Sequence, residues 1–260
     1  MIPPPPEAPG TLTWLGHSTV LIELDGVRLL TDPLLRGRVA HLRRTAPLGA
    51  PPADVDAVLV SHGHHDHLDP ASLARLGRDQ RIVVPRGAAG PLRRRGFRAV
   101  EQVRAGEELR IGAVVVRATV ADHAGLRFGA LAPPWRRAED DPALGFVIAG
   151  RRVVYFAGDT DLFPGMADVA PDLDLALLPV WGWGSGVGAG HLDPPRAAHA
   201  LRLLRPRVAV PIHWGTLGPL WRRTAPGLGA EPALAFQRHA RDLAPSVEVR
   251  VLPPGGTTAF

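Results

Sequence analysis

Short apolar runs recur along this chain, most of them bounded by glycine, proline or aspartate, the pattern of strands joined by tight turns. Residues 11–15, 20–24 and 27–31 read as three strands, with Asp25-Gly26 as a two-residue hairpin turn and Asp32-Pro33 ending the run. Residues 34–53 are rich in Arg, Pro and Gly and read as a loop. A buried strand at 56–60 follows, then a short helix at 71–76 stopped by Gly77, a strand at 81–84, a helix at 87–95 stopped by Gly96, and a strand at 99–103. From Glu107 the grammar changes to consecutive strands at 108–111, 113–120, 145–149 and 152–156, with Gly150-Arg151 as a hairpin turn. The second and third of these are separated by a long insertion at 126–141, which carries Arg127, Phe128, Trp135, Arg136 and Arg137. Loops of that length usually serve as lids or substrate walls. The remaining pattern predicts a strand at 174–179, a helix at 194–204 opened by proline, a strand at 207–212, a helix at 232–243 and a last strand at 247–252. Two strand-rich halves, each with helices, fit an α/β architecture of four layers, an αββα sandwich. Residues 1–10 are expected to form a proline-rich arm and residues 11–260 a single domain.

Composition changes this picture little but narrows the chemistry. The 260 residues contain no cysteine, so disulfides and thiolate ligands are excluded, and any metal must rest on His, Asp and Glu. The 30 basic residues give a formal charge of +5, yet all are arginine, and lysine and asparagine are both missing. Such a bias is what a G+C-rich coding sequence imposes everywhere, so it does not argue for nucleic acid as a partner. The arginine clusters are short and scattered, without the aromatic interleaving of a base-stacking surface. No segment approaches the roughly 20 apolar residues of a membrane span, and the start has neither a basic leader nor an apolar stretch. A cytoplasmic protein without a transmembrane segment is the expectation.

The chemistry concentrates in ten residues, Val60-Ser61-His62-Gly63-His64-His65-Asp66-His67-Leu68-Asp69. Four histidines and an aspartate crowd into six positions between a buried strand and a helix start. Imidazole nitrogen and carboxylate oxygen suit zinc and its neighbours, and Gly63 lets the loop turn tightly enough for the side chains to converge.

The spacing of His62, His64, Asp66 and His67 resembles the signature of the metallo-beta-lactamase superfamily, and that family's remaining ligands have counterparts in order. His123 follows a long apolar strand, Asp159 lies in Gly158-Asp159-Thr160-Asp161, and His213 ends Val208-Ala209-Val210-Pro211-Ile212-His213. The words Trp14-Leu15-Gly16-His17-Ser18-Thr19, Thr31-Asp32-Pro33 and His213-Trp214-Gly215-Thr216 look like the branch that contains ascorbate-phosphate lactonase and N-acyl-phosphatidylethanolamine phospholipase D. The resemblance implies the metallo-beta-lactamase fold and two divalent metal ions per chain, zinc foremost, with manganese or iron also compatible. In that scheme His62, His64 and His123 hold one ion, Asp66, His67 and His213 the other, and Asp159 bridges them. His17 and Asp32 would orient the ligands by hydrogen bonds, and His65 would be solvated.

The implied activity is metal-dependent hydrolysis by a hydroxide shared between the two ions, cleaving a lactone, ester or phosphodiester of a small or lipid-like substrate. Asp66 would accept the proton and His191, ahead of the helix at 194–204, would meet the departing oxygen. Trp135, Trp181, Trp183 and His191 are the expected substrate contacts, although the tryptophan-rich loop fits a homo-oligomer contact equally well. Two alternatives remain open on the same ligands: a redox or oxygenase di-iron protein, and a nucleic-acid-processing enzyme.

Overall fold

The computed structural model describes residues 9–49, 51–123, 143–181, 190–221 and 229–260. In chain order the first half contributes β1 (Thr11–Gly16), β2 (Thr19–Leu24), β3 (Val27–Thr31), β4 (Arg38–Val39), β5 (Leu42–Arg44), β6 (Ala57–Leu59), α1 (Pro70–Leu76), β7 (Ile82–Pro85), α2 (Ala89–Arg94) and β8 (Val100–Val103). After it come β9 (Glu108–Ile111), β10 (Val114–Val120), β11 (Leu144–Ala149), β12 (Val153–Phe156), β13 (Leu175–Pro179), α3 (Pro194–Leu204), β14 (Val208–Ile212), β15 (Leu217–Pro219), α4 (Glu231–Leu243), β16 (Glu248–Val249) and β17 (Gly256–Ala259).

Two mixed sheets of seven strands carry the molecule, ordered β17-β1-β2-β3-β6-β7-β8 and β16-β14-β13-β12-β11-β10-β9. Each begins with antiparallel hairpins and finishes with parallel strands that need helical crossovers. Because side chains alternate across a strand, β6 sends Ala57 and Leu59 to the space between the sheets and Val58 to the outer face. Between the sheets, Trp14, Ile22, Leu29 and Leu59 meet Val116, Phe146, Val154 and Phe156 in one apolar cluster. Outside the first sheet, Val58, Ile82 and Val84 are covered by Leu73 of α1 and Leu92 of α2. On the other side α3 and α4 pack on each other and against β13 and β14. These are the four layers of the αββα sandwich.

Three details differ from the sequence pattern. Residues 34–53 are not all loop, since β4 and β5 pair with each other and, through β5, with β15 in a small third sheet. Their arginine-rich stretch lacks alternation, and the partner strand lies over 170 positions away. The last predicted strand contracts to Glu248–Val249, and Gly256–Ala259 instead forms an edge strand on β1. Pro253 and Pro254, which have no N–H to donate, separate the two. Among the described residues no helix is long and apolar enough to cross a membrane.

Parallel strands expose their carboxyl ends on one side, so the loops after β3, β6, β12, β13 and β14 gather at a single rim, the usual place for a site in a parallel sheet.

Candidate metal centre

At that rim the backbone itself is unusual. His17, Asp32 and His213 all take positive φ, at 56°, 35° and 61°. Bulky residues avoid this left-handed region, and three in one place mark a site where geometry outweighs local preference. Gly158 also has positive φ, at 62°, and a Cβ there would sit 2.7 Å from the Ser61 Cβ and 2.8 Å from the Leu144 carbonyl oxygen. Only glycine lets the strand bring Asp159 this close to the ligand loop. That loop folds on itself through His67 and Leu68 amides donating to the His64 carbonyl at 3.0 and 2.8 Å, and Asp69 then caps α1 by accepting from the Ser72 amide.

The side chains named from the sequence converge in two groups. His62 Nε2 and His123 Nε2 lie 2.8 and 3.1 Å from His64 Nδ1. In the second group, Asp66 Oδ2 is 3.7 Å from His67 Nε2 and 3.9 Å from His213 Nε2. Asp159 reaches across with Oδ2 3.3 Å from His67 and 3.2 Å from His213. Each group offers ligand atoms within 4.8 Å of one another, and His17 belongs to the Asp66 group.

Hydrogen bonds aim most of these imidazoles. Ser61 Oγ donates to Asp32 Oδ2 at 2.6 Å, so it accepts from His62 Nδ1 at 2.9 Å. His67 Nδ1 donates directly to Asp32 Oδ2 at 2.7 Å. The His123 and His213 Nδ1 atoms donate to the carbonyls of Gly190 and Trp181, both at 2.6 Å. In all four rings Nε2 is left facing inward, a tautomer whose Nε2 lone pair is free for a metal. His17 Nε2 donates to the Asp66 carboxylate at 3.0 Å.

This donor set fits a pair of cations. The lone pairs of His62 and His123 both point at His64 Nδ1, and a single proton there cannot satisfy both, whereas one cation satisfies all three nitrogens. Asp159 Oδ1 is buried with no hydrogen-bond partner, an arrangement that is expensive unless something else coordinates it.

Electrostatics without metal follow from burial and crowding. Burial, reinforced by neighbouring imidazoles, lowers His17 to about 3, His64 to about 4, and His62 well below its ordinary value, so all three rings are neutral, with His62 and His64 ready to ligate. Burial also acts against His67 and His213, but Asp159 above all overrides it and raises both. The reciprocal effect outweighs burial at Asp159, chiefly through His213, and at Asp66, chiefly through His67, and holds both carboxylates well below their usual range. Asp32 is pushed up by burial, opposed by His67 and Ser61.

His65 is exposed, as expected. His191 lies at the edge of the centre, its Nε2 3.5 Å from Asp159 Oδ2, beside His123. Trp181 is half-buried, and it is its carbonyl that reaches His213. Trp135 and Trp183, with the insertion at 126–141, lie outside the described residues. Sequence reasoning passed over Ser61 and Gly190, whose contacts are a hydroxyl relay and a backbone carbonyl. Ser61 stood beside the ligand loop as its signal, but nothing in the sequence marks a carbonyl.

A profile of the beta-lactamase superfamily domain matches residues 27–214. The chain is 30% identical to the UPF0173 metal-dependent hydrolase of Methanopyrus kandleri over 94% of its own length and 97% of that protein's. It is also 30% identical to N-acyl-phosphatidylethanolamine-hydrolyzing phospholipase D 1 of Caenorhabditis elegans, over 78% of this chain and 63% of that one. Among solved structures, Igni18, a metallo hydrolase of Ignicoccus hospitalis, superposes with a TM-score of 0.71 at 26% identity, covering 97% of this chain and 99% of that one. With its two ligand clusters at the rim of an αββα sandwich, the chain belongs to the beta-lactamase superfamily and is a metal-dependent hydrolase.

Proposed function

We propose that this protein is a binuclear hydrolase that opens a lactone or ester, or cleaves a phosphodiester, in a small or lipid-like substrate. One observation carries the proposal: Asp159 stands between the two ligand groups, one oxygen against His67 and His213, the other buried with no hydrogen-bond partner. His62, His64 and His123 would hold one cation and Asp66, His67 and His213 the second, with Asp159 within reach of both groups. Zinc, manganese and iron all suit nitrogen and oxygen donors. Divalent cations held there make water a nucleophile near neutral pH and polarise the oxygen of the bond under attack.

The chain supplies the rest. Asp66 stays ionised next to His67 and His17 and accepts the proton of the attacking water. His17, fixed on Asp66, keeps that oxygen turned to the centre. His191, 17% exposed, is open to substrate and donates a hydrogen bond or proton to the leaving oxygen. Asp32 and Ser61 orient His62 and His67, and the half-buried Trp181, whose carbonyl meets His213, is the described aromatic side chain offered to acyl or ring-bearing groups. Likeness to a phospholipase D supports the phosphodiester arm of the proposal.

The test is chelation followed by metal add-back on a panel of lactones, carboxylic esters and phosphodiesters. Turnover that vanishes with the metal and returns with it is expected on at least one class. Metal-independent turnover, or none on any of the three, refutes the assignment.

A further inference from the structure

Asp161 sits two residues beyond Asp159, is only 3% exposed, and takes no part in either ligand group. Its carboxylate and amide together gather three segments, those of Arg196, Gly190 and Asp122. Oδ1 accepts from the Leu162 amide at 2.6 Å and pairs with Arg196 of α3. Oδ2 accepts from the Gly190 amide at 3.4 Å, and the Asp161 amide donates to the Asp122 carbonyl at 2.9 Å. Next to it, Thr160 Oγ1 accepts from the Asp122 amide and the Thr160 carbonyl accepts from Leu192.

What these bonds hold in place is informative. The residue after Asp122 is His123, and the residue after Gly190 is His191. The Gly190 carbonyl is itself the acceptor that orients His123 Nδ1. Gly190 has φ +99°, a conformation open to glycine and costly for other residues. Pinning the Gly190 amide fixes the loop that presents this carbonyl.

We infer that Asp161, braced by Arg196, is a positioning residue that sets the aim of His123 at one cation and of His191 at the substrate. This rests on the proposed assignment of His123 as a ligand. The arrangement is specific in its consequence: the cation held by His62, His64 and His123 depends on Asp161, while the one held by Asp66, His67 and His213 does not. Outer partners of ligating histidines typically govern metal affinity by about 10- to 100-fold.

Cobalt(II) titration in competition with a chromophoric chelator, with the visible d–d absorption recorded, separates the two sites. The wild-type chain is expected to take up two equivalents. D161A weakens one equivalent by about 100-fold and changes its absorption band, leaving the other untouched; D161N, which keeps an acceptor but loses the Arg196 ion pair, weakens it by about tenfold. Both variants also lower kcat more than they raise KM, because His191 loses its setting. Two unchanged binding constants and an unchanged spectrum in D161A overturn the inference alone, even if its metal-free form melts earlier. Should D161A fail to fold, D161N carries the test, and wild-type cobalt affinity at both sites in D161N overturns it. A wild-type chain that binds no cobalt overturns the ligand assignment beneath it as well.

Discussion

The two seven-stranded sheets are copies of one plan used for different ends. From the edge inward, β17-β1-β2-β3-β6-β7-β8 corresponds to β9-β10-β11-β12-β13-β14-β16, antiparallel pairs first and parallel pairs after, in both. Equivalent strands end in equivalent residues: β1 leads to His17 and β10 to His123, β3 to Asp32 and β12 to Asp159. Even the helix entries match, since His67-Leu68-Asp69-Pro70 and His191-Leu192-Asp193-Pro194 share the same four residues before α1 and α3. The difference is in depth. His17 and Asp32 act on other side chains, while their counterparts His123 and Asp159 face the centre; His67 faces the centre, while His191 stands at its edge. One half supplies a continuous ligand loop and the other surrounds it.

The largest effect should come from the pair Asp159 and Asp32. Asp159→Ala removes the carboxylate between both groups and is expected to lower kcat/KM by about 10³-fold or more, equivalent to about 4 kcal/mol, with fewer than two cations retained on metal analysis. Asp32→Ala acts first on stability. It strips a buried partner from His67 and Ser61 and should destabilise the metal-free protein by about 3 kcal/mol in urea unfolding. The sign with pH follows from His67, whose folded value is raised. Its ion pair stabilises fully below the ordinary imidazole value of about 6.5 and progressively less as pH climbs through the folded value. The gap between the metal-free wild type and Asp32→Ala should therefore narrow as pH rises above the ordinary imidazole value of about 6.5. A gap that widens instead would break the assignment of Asp32 as the partner of a protonated His67.

Next in size is the contrast between His67 and His191, the two histidines of the repeated tetrapeptide. His67→Ala should lose one of two bound cations, whereas His191→Ala should keep both and lower kcat about 10²-fold, as expected for a lost general acid. Metal analysis beside steady-state kinetics decides it. Loss of a cation from His191→Ala would mean that the two halves use this residue alike.

The same asymmetry explains what could be read from the sequence. His62, His64, Asp66 and His67 lie within one loop, so their joint spacing announced a metal site without any fold. His123, Asp159 and His213 are single residues at strand ends and were legible only through order and resemblance, because nothing local separates a ligand from a cap. Strand positions were readable where side chains alternate between core and surface, as in β1, and where an apolar run is buried throughout, as in β13 and β14. They were lost in β4, β5, β15 and β17, where pairing depends on partners far along the chain. The orienting carbonyls of Trp181 and Gly190 left no trace, since every residue has a carbonyl and only folding chooses which one faces a histidine.

The smallest effect tests the helix entries themselves. Asp69 and Asp193 cap α1 and α3 in the same way, accepting from the amides of Ser72 and Arg196 at 3.0 and 2.9 Å. Asp193 is exposed and does little more, so Asp193→Ala should cost about 1 kcal/mol, an ordinary cap. Asp69 is buried, accepts the Ser72 hydroxyl at 2.7 Å and pairs with Arg36 at 3.1 Å. Its removal takes the acceptor from the buried Ser72 hydroxyl, which keeps only the Leu35 amide as donor, and uncaps the helix, so Asp69→Ala should cost about 2 to 3 kcal/mol. Urea unfolding of the two variants measures the difference directly. Equal costs would mean that both caps act only on their own helices; the expected inequality would place the first copy of the tetrapeptide inside the scaffold of the ligand loop and leave the second as a helix entry beside the edge of the centre.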